Sequence, residues 1–406
     1  MRLLVLGINF APELTGIGKY TSEMAEWLAA RGHTVQVVTA PPYYPAWRVG
    51  EGYSAWRYRC EVLTGIRVWR CPLWVPLDQS GLKRVLHLAS FTLSSLPVVL
   101  WQGLRWRPDV VWVVEPAFFC TLGAWVAARL GGTKVWLHVQ DFEIDVAFDL
   151  GLLSTRWLRR GVAAFERWIM RRFDCVSTIS ERMLEQLAVK DVEAPRRFFF
   201  PNWVDTEEIY PLPDPSPLRA ELHVAAETIV ALYAGTMGEK QGLEIVAEAA
   251  RALADHRNIQ FVLCGDGGAR ARLYQLADGL PNVRFLPVQP AERLNDLLNL
   301  ADVHLLPQRP DSVDRVMPSK LTGMLASGRP VVATAHPCTQ VAQVVTGCGM
   351  VTPPGDGGAL AQAIRHLARH PEERAQLGQA ARAFALTHWR REEILRRFEE
   401  EITRLQ

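Results

Sequence analysis

Two stretches of the 406-residue sequence combine small residues with a lysine where a chain could hold phosphate: Tyr233-Ala-Gly-Thr-Met-Gly-Glu-Lys-Gln-Gly242 and Met317-Pro-Ser-Lys-Leu-Thr-Gly-Met-Leu-Ala-Ser-Gly-Arg-Pro-Val-Val332. Each lies where an apolar, strand-like run meets a helical pattern. There, backbone N–H groups and a helix dipole can bind a diphosphate without a metal ion. In the first stretch the candidates are Gly235, Thr236, Gly238, Glu239 and Lys240. A lysine at a helix start opposes the dipole, so Lys240 is expected to meet an anion, with Glu239 as the alternative partner within the protein. In the second stretch Pro318 suits a first helical turn, Ser319 and Leu321 flank it, and Lys320 adds charge. Gly265-Asp266-Gly-Gly268 closes a further apolar run, as a phosphate contact or simply as a chain reversal.

The first half of the chain offers a third loop, Gly7-Ile-Asn-Phe-Ala-Pro-Glu-Leu-Thr-Gly-Ile-Gly-Lys-Tyr20, between a strand-like and a helical run. Thr15, Gly16, Ile17 and Gly18 there could lie against a phosphate or a sugar, because glycine permits close backbone approach. The loop lacks the third glycine of the G-x-G-x-x-G dinucleotide pattern. A polar cluster, His138, Gln140, Asp141, Glu143 and Asp145, follows another apolar run. Alternation places His138 and Gln140 on one strand face and Asp141 on the other. A histidine on an apolar strand is either a reacting group or a satisfied core residue, and both readings stand. With no H-x-H, H-E-x-x-H or D-x-D spacing, no metal is expected. Nor is there a G-x-S-x-G elbow or a P-loop.

The elements that position these residues alternate along the chain. Strand-like runs are 3–7, 34–39, 110–114, 134–139 and 175–179 in the first half, then 229–234, 259–264, 283–286, 303–306 and 331–334 in the second. Helical patterns at 20–31, 117–130 and 390–405 accompany them. Strands apolar on both faces that alternate with helices predict covered parallel sheets, and the length predicts two domains. The break falls near Pro201-Asn-Trp-Val-Asp205 and Tyr210-Pro-Leu-Pro-Asp-Pro-Ser-Pro217, the best linker candidate. The expected division is 1–203 with about 388–406, and 204–387.

Residues 1–200 hold 24 Lys+Arg against 18 Asp+Glu, and 201–406 hold 21 against 25. A basic first half suits an anionic partner, such as a membrane surface or phosphorylated acceptor, rather than nucleic acid. Residues 85–104 carry no Lys, Arg, Asp or Glu and have basic flanks. This segment reads as a buried helix pair, an interfacial helix in region 82–107, or a membrane span. Twelve of fourteen tryptophans precede residue 200, which suits either an interface or a tryptophan-rich core. Seven cysteines without C-x-x-C spacing, and an N-terminal apolar run too short for a signal peptide, suit a reducing cytoplasm.

Taken together, these motifs resemble the family-4 glycosyltransferases of the GT-B type. The resemblance runs nearly end to end: Thr15-Gly-Ile-Gly-Lys-Tyr20, Phe173-Asp-Cys-Val-Ser-Thr-Ile-Ser180, Pro201-Asn-Trp-Val-Asp205, Gly235 to Lys240, Gly265-Asp-Gly267, Ala301-Asp-Val-His-Leu-Leu-Pro307 and Ala326-Ser-Gly-Arg-Pro-Val-Val332. The resemblance implies an α/β fold of two doubly wound Rossmann-like domains facing across a cleft, with a last helix crossing back to the first domain. It further implies a retaining, metal-independent transfer, with no cofactor, from a nucleoside diphosphate sugar to a saccharide hydroxyl. Gln140-Asp141 and Met317-Pro-Ser-Lys320 look most like the colanic acid (exopolysaccharide) subgroup, associated with GDP-fucose and polyprenyl-linked acceptors. A cytoplasmic enzyme on the inner face of the plasma membrane follows from that likeness. The chain also departs from the family. Thr236 replaces an expected arginine, for which Lys320 and Arg315 are the candidate substitutes. The paired-glutamate positions fall on Arg315 and Gly323, and the active-site histidine position aligns best with Gln140. A nucleotide-sugar epimerase or hydrolase, or a non-catalytic membrane-docked subunit, are the rival readings.

Overall fold

The computed structural model describes residues 1–13, 16–76, 81–115, 118–142, 156–238, 241–310 and 317–406. Two compact units emerge: Met1–Pro201 with Ile394–Gln406, and Asn202–Glu393.

In the first unit the order is β1 (Arg2–Leu6), α1 (Gly16–Ala30), β2 (Thr34–Thr39), β3 (Arg59–Leu63), β4 (Ile66–Arg70), α2 (Gly81–Arg105) and β5 (Val110–Val114). There follow α3 (Cys120–Gly131), β6 (Lys134–Val139), α4 (Arg156–Met170), β7 (Cys175–Thr178), α5 (Glu181–Val189) and β8 (Arg197–Phe199). The eight strands stand in the order β3-β4-β2-β1-β5-β6-β7-β8, parallel except for the β3–β4 hairpin. Sequence order reverses between β1 and β5. Loops that leave those two strands diverge to opposite faces and open a crevice at the strand ends.

The second unit contains α6 (Pro217–Glu221), β9 (Ile229–Ala234), α7 (Glu244–Ala252), β10 (Ile259–Cys264), α8 (Arg270–Leu276), β11 (Val283–Leu286) and α9 (Leu294–Leu300). It continues through β12 (Val303–Leu306), α10 (Lys320–Ala326), β13 (Val331–Thr334), α11 (Gln340–Val345), β14 (Gly349–Thr352), α12 (Gly357–Arg369), α13 (Pro371–His388) and α14 (Arg391–Arg404). Its six strands are all parallel, in the order β11-β10-β9-β12-β13-β14, with the reversal between β9 and β12. Val230, Leu232, Phe261, Val303 and Leu305 are fully buried, as strands covered on both faces require.

From residue 394 onward α14 belongs to the first unit. Phe398 stacks on Phe200 with centroids 4.4 Å apart and packs edge-on against Trp136 at 5.2 Å. Two tryptophans, Trp112 and Trp136, therefore fill this core, whereas Trp56, Trp101 and Trp157 stay exposed. The core reading of the tryptophan excess holds for Trp112 and Trp136.

Three expectations need correction. The β3–β4 hairpin and β14 went unseen, because short strands at or near a sheet edge carry little apolar signal. Residues 85–104 form no buried helix pair but part of one helix, α2, that continues through Pro97. Leu88, Phe91, Ser95 and Val99 of α2 are buried while Leu82, Leu86, Leu93, Trp101 and Leu104 are exposed, so it lies along the fold by one face. The proline-rich stretch is not a free linker. Arg382 donates to the carbonyls of Thr206 and Ile209, Asn299 bonds Leu212 and Tyr210, and Asp205 pairs with Arg391 at 2.7 Å.

Replacing Phe398 by alanine should destabilise the first unit by about 3–5 kcal/mol, the usual cost of deleting a fully buried phenylalanine. Chemical denaturation of the variant checks this, and a loss under about 1 kcal/mol would show that the first unit does not need α14.

Candidate functional site

The strongest constellation stands at the carboxyl ends of β9, β10 and β12, on the reversal point of the second sheet. The turn after β9 and the turn after β10 cross with their backbones in contact. Met237 N–H donates to the Asp266 carbonyl at 2.8 Å, and Ala269 N–H donates to the Met237 carbonyl at 2.9 Å. A Cβ on Gly265 would collide with the Gly235 carbonyl oxygen, and both residues have a positive φ of the kind usually reserved for glycine, 149° and 141°. Glycine is therefore required at both positions by contact and by conformation. Exposed Asp266 turns its carboxylate onto the N–H of Gly267 at 2.8 Å.

Tyr233, the penultimate residue of β9, braces this crossing from below. Its side chain is fully buried, and its hydroxyl donates to the Thr236 carbonyl at 2.6 Å, which fixes the turn. Burial also raises the phenol above its ordinary range, so it stays a donor. Above the ring lies the Lys320 ammonium, 4.3 Å from the centroid. A Cβ on Gly235 would stand 3.5 Å from Lys320 Cδ, so the side chain runs directly past the glycine turn. Among the described residues no carboxylate or hydrogen-bond acceptor holds the Lys320 Nζ. Burial pushes the ammonium down to about 7. A cation–π contact supplies only about 0.5–2 kcal/mol, less than the cost of stripping water from an unpaired ammonium. Such a lysine gains most from an anion beside it.

The remaining predicted donor residues divide. Gly238 follows the crossing, and its carbonyl accepts from Gln241 N–H at 3.1 Å. Pro318 and Ser319 are half-buried ahead of α10, with the Ser319 carbonyl accepting from the Thr322 hydroxyl at 2.8 Å. Leu321 is fully buried and anchors α10 rather than offering a contact. Thr15, Glu143, Asp145, Glu239, Lys240 and Arg315 lie outside the described residues.

In the first unit the glycine loop after β1 is built on a residue that sequence reasoning passed over, Glu13. Its buried carboxylate accepts from the backbone N–H groups of Tyr43 and Tyr44, both at 2.9 Å, and from the Asn9 amide at 2.8 Å. Burial, partly countered by those bonds, raises its carboxyl. Gly18 is needed here, since a Cβ would press to 3.0 Å from the Glu13 Oε2. Gly16 takes a positive φ of 60°, and Ile17 is half-buried beside it. Ser22 locks the loop to α1 by accepting from Ala11 N–H and donating to the Gly18 carbonyl, each at 2.7 Å. An acid inside an apolar, glycine-containing loop was the signal available for Glu13. For Tyr233 it was a phenol on an otherwise aliphatic strand.

At the end of β6, His138 is a core residue. Its Nδ1 lies 2.8 Å from the Ser177 hydroxyl and its ring stacks on Trp112 at 5.3 Å. Burial pushes it down to about 3, so it is neutral at any physiological pH. Gln140 and Asp141 follow, buried and half-buried respectively, beside buried Glu115, whose N–H donates to the His138 carbonyl at 2.9 Å. Among the described residues, His366, His370 and Glu373 are the group whose ligand atoms gather within 4.8 Å. That group sits at the α12–α13 junction, not at the strand-end turns.

Lys320 gives the site a pH dependence of defined sign. The ammonium is charged below about 7 and neutral above it, so anion affinity should fall as pH rises through that value. Titration of a nucleoside diphosphate sugar, whose doubly esterified diphosphate does not itself ionise between about pH 6 and 8, should show the decline, and Lys320→Arg, always charged, should flatten it. An unchanged slope in the arginine variant would remove Lys320 from the site.

Comparison with known proteins agrees with this architecture. Residues 15–203 match the family described as a glycosyl transferase 4-like domain, and residues 228–370 match glycosyl transferases group 1. The chain is 43% identical over 408 residues, 98% of each protein, to WcaI of Escherichia coli (strain K12), which carries the name of a colanic acid biosynthesis glycosyl transferase. Sucrose-phosphate synthase from Thermosynechococcus elongatus shares the fold at a TM-score of 0.77 and 17% identity, over 100% of this chain and 98% of that one. Anabaena HepE, solved in complex with UDP and glucose, does so at 0.71 and 17%, over 99% of each. With both domain matches in order and a full-length relative at this identity, the chain belongs to the 4-like, group 1 glycosyltransferases of the GT-B fold.

Proposed function

We propose that the chain is a retaining, metal-independent glycosyltransferase of exopolysaccharide assembly, of the colanic acid type. It moves a sugar from a nucleoside diphosphate sugar to a hydroxyl of a polyprenyl-diphosphate-linked saccharide at the cytoplasmic face of the plasma membrane. A GDP-sugar such as GDP-fucose is the first choice of donor and a UDP-sugar the second. The observation that carries this reading is the Lys320 ammonium laid over Tyr233 beside the crossed glycine turns, at the sheet's reversal point. The colanic acid assignment rests on the name of the E. coli relative. HepE, solved with UDP and glucose, supports a nucleotide-sugar as the ligand class.

In this reading the diphosphate lies on the Gly235–Gly238 turn, with Lys240 two residues further along the sequence and Lys320 behind it. Thr236 leaves the usual arginine charge missing, and Lys320 supplies it. Two lysines carry the negative charge that grows on the departing oxygen, the work that a divalent cation would otherwise perform. The acceptor hydroxyl attacks the anomeric carbon from the face the diphosphate leaves. One carbon–oxygen bond breaks as another forms on the same face, and the hydroxyl proton passes to the departing diphosphate oxygen. Gly16, Gln140 and Asp141 are the acceptor-side residues of the first unit. His138, neutral and packed, orients the β6 end. Helix α2, apolar outside with basic residues at both ends, is the contact with an anionic membrane surface.

A thermal-shift panel of GDP, UDP, TDP and ADP with their sugars tests the donor. One nucleotide should raise the melting temperature of the wild type, and Lys240→Ala and Lys320→Met should each reduce that rise. Lys240→Ala should also lower turnover by about a hundredfold, the scale of removing one charge-stabilising donor. NMR of the product should show the anomer of the donor sugar. Free sugar or an epimer from donor alone would assign the site to a hydrolase or epimerase instead.

A further inference from the structure

Two helices of the second unit meet at a corner that gathers metal-ligating side chains. α12 ends at Arg369 and α13 begins at Pro371, so His370 alone joins them. A proline disfavours the helical conformation in the residue before it, and His370 is accordingly non-helical. In one continuous helix His366 and Glu373 would lie about 10.5 Å apart along the axis, too far to share an ion. At the corner the His366 Nε2 instead lies 2.7 Å from the Glu373 Oε2. The His370 ring stacks on that of His366 with centroids 4.1 Å apart. One ligand atom from each of the three residues lies within 4.8 Å of the other two.

The hydrogen bonds prepare this cluster for coordination. His370 Nδ1 is 2.7 Å from the His366 carbonyl. A carbonyl only accepts, so Nδ1 carries the proton and Nε2 of the neutral ring keeps its lone pair. A backbone carbonyl behind one ring nitrogen is a common support for a metal-ligating histidine, because it fixes tautomer and orientation. His366 and Glu373 are bridged by a proton, whose place a cation can take. Arg374, the next residue, donates from Nη1 to the Leu367 carbonyl at 2.6 Å. Two imidazoles and one carboxylate suit Zn²⁺ and its transition-metal neighbours, whereas Mg²⁺ and Ca²⁺ take oxygen ligands. The His366 and Glu373 side chains are 40% and 45% exposed, so an ion can enter from solvent and water can complete its shell.

We propose that His366, His370 and Glu373 form a structural site for a divalent transition-metal ion, with Zn²⁺ the best fit, that clamps the corner between α12 and α13. The site stands apart from the strand-end turns and adds nothing to the metal-independent transfer proposed above. What it steadies is α13. Arg382 of that helix donates to the carbonyls of Ala326, the last residue of α10, at 2.8 Å, Ile209 at 2.7 Å and Thr206 at 2.9 Å. Gly378 of α13 lies so close to the Gly328 carbonyl that a Cβ would stand 2.4 Å from its oxygen. Fixing the first turn of α13 therefore supports the packing around α10.

Calorimetric titration of the metal-stripped full chain with Zn²⁺, together with the visible spectrum of its Co²⁺ form, tests the proposal. The wild type should take up a single equivalent, with a cobalt spectrum of nitrogen and oxygen ligands and no thiolate charge-transfer band. His370→Phe keeps a ring to stack, and Glu373→Gln keeps a partner for His366. Each should weaken Zn²⁺ binding by at least about tenfold, the scale on which even outer partners of metal ligands act. Zn²⁺ should raise the melting temperature of the wild type more than that of either variant. Matching circular dichroism and an unchanged nucleotide shift confirm that the variants fold. Wild-type-like binding in both variants, a thiolate band, or no binding by the wild type would overturn the site. Binding that both variants weaken, without a Zn²⁺-dependent rise in the wild type's melting temperature, would overturn its role as a clamp.

Discussion

The second domain is organised around one close backbone crossing. The turn after β9 and the turn after β10 touch through Gly235 and Gly265, where a single Cβ would force them apart. This contact exists because both strands end together in a parallel sheet, with Ala234 opposite Cys264 in the β9–β10 register. It takes up the N–H groups of Gly235, Met237, Gly265 and Ala269 and stands at the open end of the reversal point, where successive helices diverge. Tyr233 then ties the turn down through the Thr236 carbonyl and offers its ring as the floor for Lys320. Strand register, turn, aromatic floor and ammonium form one rigid series, and the chemistry proposed for the chain depends on each member.

The same series bears on the departures from the family pattern that the sequence resemblance implies. An arginine missing at Thr236 would leave the turn short of charge if no other cation reached it. Lys320 comes from a different strand loop, after β12, and passes within ordinary contact of where a Gly235 side chain would be. The ammonium is costly to keep dry, and the ring beneath it offsets only part of that cost. Among the described residues no anion meets it, so its placement suits a bound anion better than it serves folding. His138 shows the opposite balance. It has a hydroxyl partner and an indole to stack on, and it satisfies the core without need of a ligand.

Much of this was legible in the sequence, for reasons that differ by residue. Five strands of the second domain fall where the apolar runs place them, because a strand buried on both faces is a continuous apolar run with sharp ends. The glycine turns were visible for the same reason, as small residues that end such runs. Tyr233 was not, because a phenol at a strand end looks like any core aromatic until its hydroxyl partner is known. Glu13 was hidden in a loop whose glycines drew the attention, although its carboxylate satisfies the amides of Tyr43 and Tyr44 together with Asn9. The proline-rich stretch misled because composition reports the absence of regular structure, not the absence of partners. Arg382 and Asn299, distant in sequence, hold it in place.

The tryptophans of the first half likewise separate into a buried and an exposed set. Trp112 and Trp136 are core, locked under Phe398 of the last helix, while Trp157 and Trp101 are exposed, Trp101 edge-on to Trp69 at 5.4 Å. Composition alone cannot divide them, since both environments favour an indole.

The central claim is that the crossed turns and Lys320 hold the donor's diphosphate. Hydrogen exchange measured by mass spectrometry, with and without the nucleoside diphosphate that binds, tests it most directly. The account predicts slowed exchange in peptides covering residues 233–242, 264–270 and 317–322 together. Binding that protects other parts of the chain and leaves these three segments unchanged would contradict it.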